Sequence, residues 1–555
     1  MKIRKKEQNK VIFNIKKITK FLLHHKYKFI LSLICLIIST VVSVYNPLLL
    51  GKLIDYITYK KWTYIPKLLI FIIILSLISN LLTSSYSYII RIISYKLNME
   101  IKSNLFKNIL SLNIKEFETT QKGEFFTKLD EDVSVIINFL TDKITIVIDI
   151  FTVIFIGIVL FKLNFKLALI TILNFPVTSL VFLLSGKKIS ILQNNTRLEE
   201  DKCNNFIQES INGFDIIKIL NIENIISKKF LFINNIVFNV SMKKNNVNIA
   251  SSISNGILGC IFYAVYFGVA CYEISTGNLT IGLFVAFNSY SSIFGNSLFK
   301  ISQINMDLQQ VLVSIKRISG LLDKHIENKY SINYKINDDL FKSDIKVQNL
   351  SFKYGKDEDY IFKNLNIYIK KNSITAIIGK NGQGKTTLLK ILMGLYTDYT
   401  GEVLIDQLSL KNVPFNQISK KISYVPQETF LFTGTIKENL LLANPNASDE
   451  NIKFVCGLAN IDKLIESFKD GYNTKIGYNG ISLSGGQKQR LGIARALLRK
   501  ADLFLLDEIT ASVDIETEEI IKNILKKISK NKTVVLVTHK KSTLSIADNV
   551  VVLNN

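Results

Sequence analysis

The sequence predicts a chain of two parts: an α-helical domain that crosses a membrane six times, followed by an α/β domain built on a mostly parallel sheet. Three observations carry this reading. Six apolar runs, each close to the ~20 residues that span a bilayer, occupy the first 301 positions. The excess of Lys and Arg falls on alternate connections between those runs. Beyond residue 343 the pattern changes to short β-rich runs alternating with helical segments.

At 555 residues the chain exceeds one ordinary domain. Its 48% hydrophobic content and mean hydropathy of +0.25 are high for a soluble enzyme. Only 6 prolines and 26 glycines favour long uninterrupted elements. The expected divisions are a basic N-terminus (1–28), a membrane domain (29–319), a polar linker (320–343) and the α/β domain (344–555). Five scattered cysteines without a CxxC spacing support neither a disulfide framework nor a zinc site. No small-residue cleavage site ends the first apolar run, so it reads as a retained membrane helix.

The six runs are 29–50, 64–89, 144–161, 165–186, 250–272 and 281–301. The sixth is interrupted by Asn288, Ser289, Ser291, Ser292 and Asn296. With the N-terminus in the cytoplasm, the inner connections hold 34 Lys and Arg and the outer ones six. That bias also leaves the C-terminal half in the cytoplasm. A formal charge of +24 placed this way points to membrane topology, with no nucleic-acid partner. The long inner connections look helical and should extend the membrane helices into the cytoplasm. Polar positions on the sixth run and at the end of the second (Thr83 to Tyr88) either line a substrate path or hydrogen-bond packed helices. Asp149 is the one acid inside a span. It either meets a cationic substrate or sits in a wet inner cavity, about 9 Å of helix rise beyond Lys143.

In the second half, the apolar run 374–378 leads into Gly379-Lys-Asn381-Gly382-Gln-Gly384-Lys385-Thr386-Thr387 and then a helix. This is the G-x-x-x-x-G-K-[ST] spacing in its strand–turn–helix setting, a P-loop. The glycines let backbone N–H groups turn around phosphate oxygens. Lys385 should reach the β- and γ-phosphates of ATP, and Thr386 should ligate Mg²⁺. A second apolar strand, 503–506, ends in Asp507 and Glu508. The first carboxylate is placed to hold the metal and the second to polarise an attacking water. Between them lies Leu483-Ser484-Gly485-Gly486-Gln487, a second anion-binding helix start. One chain has no need of two such helix starts for one phosphate, so a second subunit is implied.

With these motifs in place the chain resembles an ABC transporter of the exporter type over nearly its whole length. The resemblance implies the type I exporter membrane fold followed by a P-loop NTPase domain. It identifies LSGGQ as the family's signature and adds four positions. Tyr354 matches the aromatic that stacks on adenine. Gln427 matches the glutamine that senses Mg²⁺ and links to the membrane domain. Asp514 matches the loop that signals across the dimer, and His539 matches the switch histidine at the γ-phosphate. Pro47, Gly51, Ile54 and Asp55 repeat the family pattern at the end of the first span. Short helices near 112–121 and 212–221 should dock on the ATP domains. Three features depart from the family: Tyr478 where a glutamate is usual, Ser512-Val513 before Asp514, and a close at VVLNN before a further helical segment.

The resemblance implies a half-transporter in the cytoplasmic membrane, N-terminus and ATP domain inside, pairing with a second half-transporter as a homodimer or heterodimer. Two ATPs would lie between the P-loop of one subunit and Ser484 and Gly486 of the other, with Glu508 and His539 assisting hydrolysis. A polar, nearly uncharged path suits a peptide, drug or lipid substrate. An importer or an ATP-gated channel of the same fold is the alternative. Non-transporting ATPases of the superfamily lack spans, and some carry coiled-coil insertions. Here Gly379 and Leu483 are 104 positions apart with none.

Overall fold

The computed structural model describes residues 26–120, 122–143, 145–322, 340–355, 358–477, 480–510 and 515–553. Expectations for residues 1–25, most of the linker, Tyr478, Ser512, Val513 and Asp514 lie outside the described residues. The chain divides into two compact units. One runs up to Phe106 and from Phe126 to Asp323, and the other joins Lys107–Phe125 to the chain from Lys324 onward. The second division differs from the sequence boundary, because a piece of the first inner loop packs with the C-terminal domain.

The first unit is helical. Its elements are α1 (Lys26–Thr58) and α2 (Ile65–Leu110), then α3 (Ile114–Thr119), which lies in the second unit, and α4 (Lys122–Thr127). A five-residue π-turn, Lys128–Asp132, leads to α5 (Val133–Asp142), α6 (Thr145–Leu163) and α7 (Phe165–Asn212). After α8 (Phe214–Ile219) come α9 (Glu223–Ser275) and α10 (Ile281–Leu322). All six apolar runs fall on these helices. The stretches Lys26–Thr58, Trp62–Leu110, Gly123–Leu163 and Glu223–Ser275 are apolar and long enough to cross a membrane. The fourth run begins with the apolar helical stretch Phe165–Thr178, and the sixth is diluted by its Asn and Ser residues. As expected, the inner connections continue the helices: α7 has 48 residues and α9 has 53, about 70–80 Å at 1.5 Å per residue.

Helix α9 packs along α7, while α10 packs along α1, α6 and α5. The α1–α10 contact explains the pattern at the end of the first span. Asp55 Oδ1 accepts the Gly282 N–H at 2.9 Å, and its Oδ2 accepts the Thr280 hydroxyl at 2.8 Å. Thr280 in turn accepts the Leu283 N–H at 3.1 Å. The exposed N–H groups at the start of α10 are thus capped partly from another helix. Gly51 and Gly282 let the two backbones meet: a β-carbon on Gly51 would lie 2.6 Å from the Gly282 carbonyl oxygen. Gly51→Val is therefore expected to destabilise the membrane unit by about 1–3 kcal/mol through overpacking. Thermal aggregation of the detergent-solubilised protein would read this, with Gly268→Ala, which meets nothing within 4 Å, as the near-neutral control.

Some polar groups in the spans join one helix to another. Ser39 Oγ lies 2.7 Å from Thr83 Oγ1 and 3.1 Å from Ser79 Oγ, joining α1 to α2. The Tyr290 hydroxyl donates to the Val44 carbonyl at 2.6 Å. Asp149 is buried, accepts from Ser297 Oγ at 3.2 Å and faces Lys300 at 3.6 Å. Its Oδ1 already has protein partners, which weighs against the first of the two alternatives, contact with a cationic substrate.

In the second unit, strands β1 (Ile345–Phe352), β2 (Phe362–Ile369), β4 (Thr400–Ile405) and β5 (Leu408–Ser409) form an antiparallel sheet. A five-stranded parallel sheet has the order β11-β3-β10-β9-β6, with β3 at Ile374–Ile378, β6 at Ile422–Val425, β9 at Leu503–Asp507, β10 at Thr533–Val537 and β11 at Asn549–Val552. The short pair β7 (Gly434–Thr435) and β8 (Lys475–Ile476) stands apart. Helices α11 (Lys385–Leu392), α12 (Phe415–Lys421), α13 (Ile436–Leu441), α14 (Asp449–Leu458), α15 (Asp462–Ser467), α16 (Gly485–Leu498), α17 (Ile515–Ser529) and α18 (Lys541–Leu544) complete it. Strands β9 and β10 are buried at every residue, the continuous apolar run that a parallel sheet covered on both faces requires.

Candidate functional site

The carboxyl ends of four neighbouring parallel strands bring the chemistry together, as open α/β sheets do. The glycine-rich turn follows β3, Gln427 follows β6, Asp507 and Glu508 close β9, and His539 follows β10. In the turn, Gly382 and Gly384 have φ of 85° and 83°, which side chains rarely adopt. A β-carbon on Gly384 would also strike Phe362 at 2.8 Å. Gln383 Oε1 accepts the Lys380 N–H at 2.6 Å and holds the turn closed on itself. Asn381 lies at the open tip, while Thr387 faces inward on the first turn of α11.

Lys385 is buried, and its ammonium donates to the carbonyls of Gly379 (3.1 Å) and Lys380 (3.2 Å). It lies 4.0 Å from Glu508 Oε1. Thr386 Oγ1 donates to Asp507 Oδ2 at 2.8 Å, and the Tyr424 hydroxyl approaches the same oxygen at 3.5 Å. Burial pushes the Asp507 carboxyl above its ordinary value. The Thr386 hydrogen bond pulls it back, and the charge of Glu508 adds to the rise. Such a carboxylate gains most from a cation beside it. The hydroxyl of Thr386 and the carboxylate of Asp507 are the hard oxygen donors that magnesium takes alongside phosphate oxygens, so the residues fit that ion.

Glu508 stands in the left-handed backbone region, φ 49°, a costly position for a glutamate. Its backbone N–H donates to the Val537 carbonyl at 3.0 Å. Oε2 accepts from Gln427 Nε2 at 2.9 Å, and Oε1 is 3.3 Å from His539 Nε2. The predicted Gln427, Glu508 and His539 are therefore one contiguous group.

Ser484 begins α16 as a reciprocal cap: its hydroxyl accepts the Gln487 N–H at 3.3 Å, and Gln487 Oε1 accepts the Ser484 N–H at 2.9 Å. Gly485 is exposed and Gly486 half-buried at this helix start. Among the described residues no hydrogen bond or ion pair joins Ser484–Gln487 to the glycine-rich turn. Tyr354 packs edge-on against Tyr396 and its hydroxyl lies 2.8 Å from Thr387 Oγ1. Asp514 lies outside the described residues.

The structure adds residues that no motif announced. Helix α3 is part of this unit, and its Ile114 packs on the core of the domain. Lys390 on α11 donates to Glu118 Oε1 at 2.7 Å, and the Tyr396 hydroxyl donates to Glu118 Oε2. Lys115 reaches Asp398 at 3.5 Å. Burial would raise the Glu118 carboxyl, but the hydrogen bonds from Lys390 and Tyr396 and the Lys390 charge outweigh it and leave the carboxyl low. Its contribution is thus fully present above the ordinary value of 4.5 and is lost as pH falls through the lowered value. Only the length and polarity of the loop, with its likeness to the family, marked this helix in the sequence.

Residues 29–298 match the family model for the ABC transporter transmembrane region, and residues 362–511 match the model for the ABC transporter itself. Among similar proteins, the ATP-dependent lipid A-core flippase of Syntrophus aciditrophicus (strain SB) is 26% identical over 554 residues, covering 100% of this chain and 92% of that one. A putative multidrug export ATP-binding/permease protein of Staphylococcus aureus (strain NCTC 8325 / PS 47) is 28% identical, covering 98% and 95%. The alpha-hemolysin translocation ATP-binding protein HlyB of Escherichia coli O157:H7 is also 28% identical, covering 92% and 72%. The fold matches a bacterial Atm1-family ABC exporter with ATP bound at a TM-score of 0.78, with 21% identity over 95% of this chain and 93% of that one.

Proposed function

Since this chain belongs to the ABC transporters, a transmembrane region fused to an ATP-hydrolysing domain, we propose that it is one half of a dimeric exporter in the cytoplasmic membrane, moving an amphipathic lipid, drug or peptide outward. The observation that carries the reading is the meeting of Lys385, Thr386, Asp507, Glu508, Gln427 and His539 at the ends of adjacent strands, in a chain whose first part holds long apolar helices.

The N–H groups of Gly379–Thr387 would take the phosphates of ATP. Lys385 would exchange its two carbonyl acceptors for β- and γ-phosphate oxygens. Tyr354 would stack on the adenine, giving up its bond to Thr387. Magnesium, held by Thr386 and Asp507 with Gln427 nearby, supplies charge neutralisation on the phosphates. Glu508 takes a proton from the attacking water, and His539 steadies the charge that develops on the transferred phosphoryl group. The water oxygen bonds to the γ-phosphorus as the bond from that phosphorus to the bridging oxygen breaks, releasing inorganic phosphate and ADP.

Ser484 and Gly486 then act on the ATP of a second subunit, which is why they need no partner in their own. Two apolar surfaces support a dimer. Helix α8 has no buried residue and leaves Phe214, Ile216 and Ile219 exposed. In the ATP-hydrolysing domain a groove of about 290 Å³ is lined by Tyr424, Phe430, Phe432, Leu442, Arg495 and Arg499. In a dimer, α8 of one copy and the groove of the other are matched in chemistry.

Purified alone and reconstituted into proteoliposomes, the chain is expected to run as a dimer and hydrolyse ATP. Vesicles with the ATP-hydrolysing domain outside should concentrate a fluorescent amphipathic probe against its gradient. Passive leak without accumulation would indicate a channel, and depletion of preloaded probe would indicate import. ATP hydrolysis that appears only on mixing with a related half-transporter would make the pair a heterodimer.

A further inference from the structure

Three ion pairs bridge α10 to the segment that holds α5 and α6. Arg317 meets Asp132 at 3.6 Å, Asp307 meets Lys143 at 2.5 Å, and Lys300 meets Asp149 at 3.6 Å. The spacings run antiparallel and match: Asp132, Lys143 and Asp149 are 11 and 6 residues apart, and Arg317, Asp307 and Lys300 are 10 and 7 apart. Ser297 adds a hydrogen bond to Asp149 one turn further on. The same register continues to Gly157, where a β-carbon would touch the Phe294 ring at 3.6 Å. None of these charges belongs to the ATP site.

Exposed ion pairs contribute little to stability, and here the basic partners are partly exposed. The acids at the two ends differ. The side chains of Asp132 and Asp149 are 4% and 10% exposed, and Oδ2 of each has no hydrogen-bond partner. Losing the base would strand a buried carboxylate, which costs far more than the pair contributes. The polarity also alternates along the seam: acid, base, acid on one side and base, acid, base on the other. Sliding α10 by two turns, about 10 Å, sets Asp307 against Asp149 one way and Lys300 against Lys143 the other. Either slip opposes like charges, and a one-turn slip leaves the buried acids unpaired.

We propose that this ladder fixes α10 to α5 and α6 in a single register and makes them one strut. The charged residues are positioning residues for transport, resting on the exporter reading above. Helix α10 is the element from which the chain continues toward the ATP-hydrolysing domain. A displacement at its Arg317 end would then reach the level of Asp149, about 26 Å of helix away, without slippage.

The test uses the full chain in lipid nanodiscs, with nitroxide labels at the exposed positions Asn138 and Phe299 in a cysteine-free background, labelled subunits being diluted into unlabelled ones. In the otherwise native chain the distance between labels is expected to stay within about 2 Å on trapping with ATP and vanadate. In Arg317→Asp or Asp132→Arg it should shift or split by at least one helical turn, about 5 Å. The exchanged pair, Asp132→Arg with Arg317→Asp, should restore the single distance, an outcome that simple loss of packing does not produce. Should a reversal not fold, the neutral Arg317→Gln, which strands the buried Asp132 without reversing a charge, carries the same expectation. Sliding in the otherwise native chain, unchanged distances in the variants, or no rescue by the exchange would overturn the proposal. ATP hydrolysis is measured on the same sample: its absence would sink the exporter reading, while the distances without nucleotide still judge the register.

Discussion

Glu508→Gln is expected to lower ATP turnover by at least about a hundredfold while leaving ATP binding within about threefold, the scale on which a positioned general base acts. The substitution keeps the length and planarity of the side chain, and the amide oxygen can still accept from Gln427 Nε2, now at 2.9 Å from the carboxylate. What disappears is a carboxylate able to take the proton of the attacking water. The groups proposed to bind phosphate and metal are separate side chains: Lys385 on carbonyls of its own turn, and Thr386 on Asp507. Binding should therefore survive, as read by a fluorescent ATP analogue, while phosphate release falls. The left-handed φ of Glu508 is set by the turn after β9 and not by its charge, so glutamine inherits it. Turnover at the native rate would remove Glu508 from the chemistry and leave His539 as the residue to examine.

Ser484→Arg is expected to abolish turnover to a similar degree without weakening ATP binding at the glycine-rich turn of its own chain. The cap at the start of α16 would be lost and a bulky cation would occupy the approach to Gly485 and Gly486. If the second anion-binding helix start serves the partner subunit, the two defects complement each other. A mixed dimer of Glu508→Gln and Ser484→Arg subunits holds one site with both defects and one with neither. Random co-assembly should thus return about a quarter of the intact sites in a two-fold symmetric pair, and ATP hydrolysis in proportion. A site built within one chain gives no recovery, because each subunit would carry its own defect in its own site. The measurement is hydrolysis by the co-expressed subunits against each variant alone.

Much of the molecule was legible in the sequence because the relevant signals are local. A span is a run of apolar residues, and the expected orientation is a count of charges between runs. The glycine-rich turn is nine consecutive residues whose backbone must bend around phosphates. Strand ends carrying Asp507, Glu508 and His539 follow apolar runs that only a buried parallel sheet accommodates. These features depend on nearest neighbours in the chain, so reading in order recovers them.

The rest depended on which helices meet and at what height. Asp149 in the sequence is a lone acid in a span; its partners Ser297 and Lys300 come from α10, 148 residues away in the case of Ser297. Asp132 and Lys143 look like ordinary loop charges until α10 lays Arg317 and Asp307 beside them. Glu118 has no motif, and only the packing of α3 with the C-terminal domain sets it between Lys390 and Tyr396. A charge in sequence has a sign but no partner, because pairing depends on which helices lie side by side and at what height. The sequence by itself determined a helical transmembrane part, the α/β domain that follows it and the family to which both belong. The tertiary structure alone decided that the inner loop acid Glu118 belongs with the ATP-hydrolysing domain and that the membrane acid Asp149 belongs to a ladder of helix-joining charges.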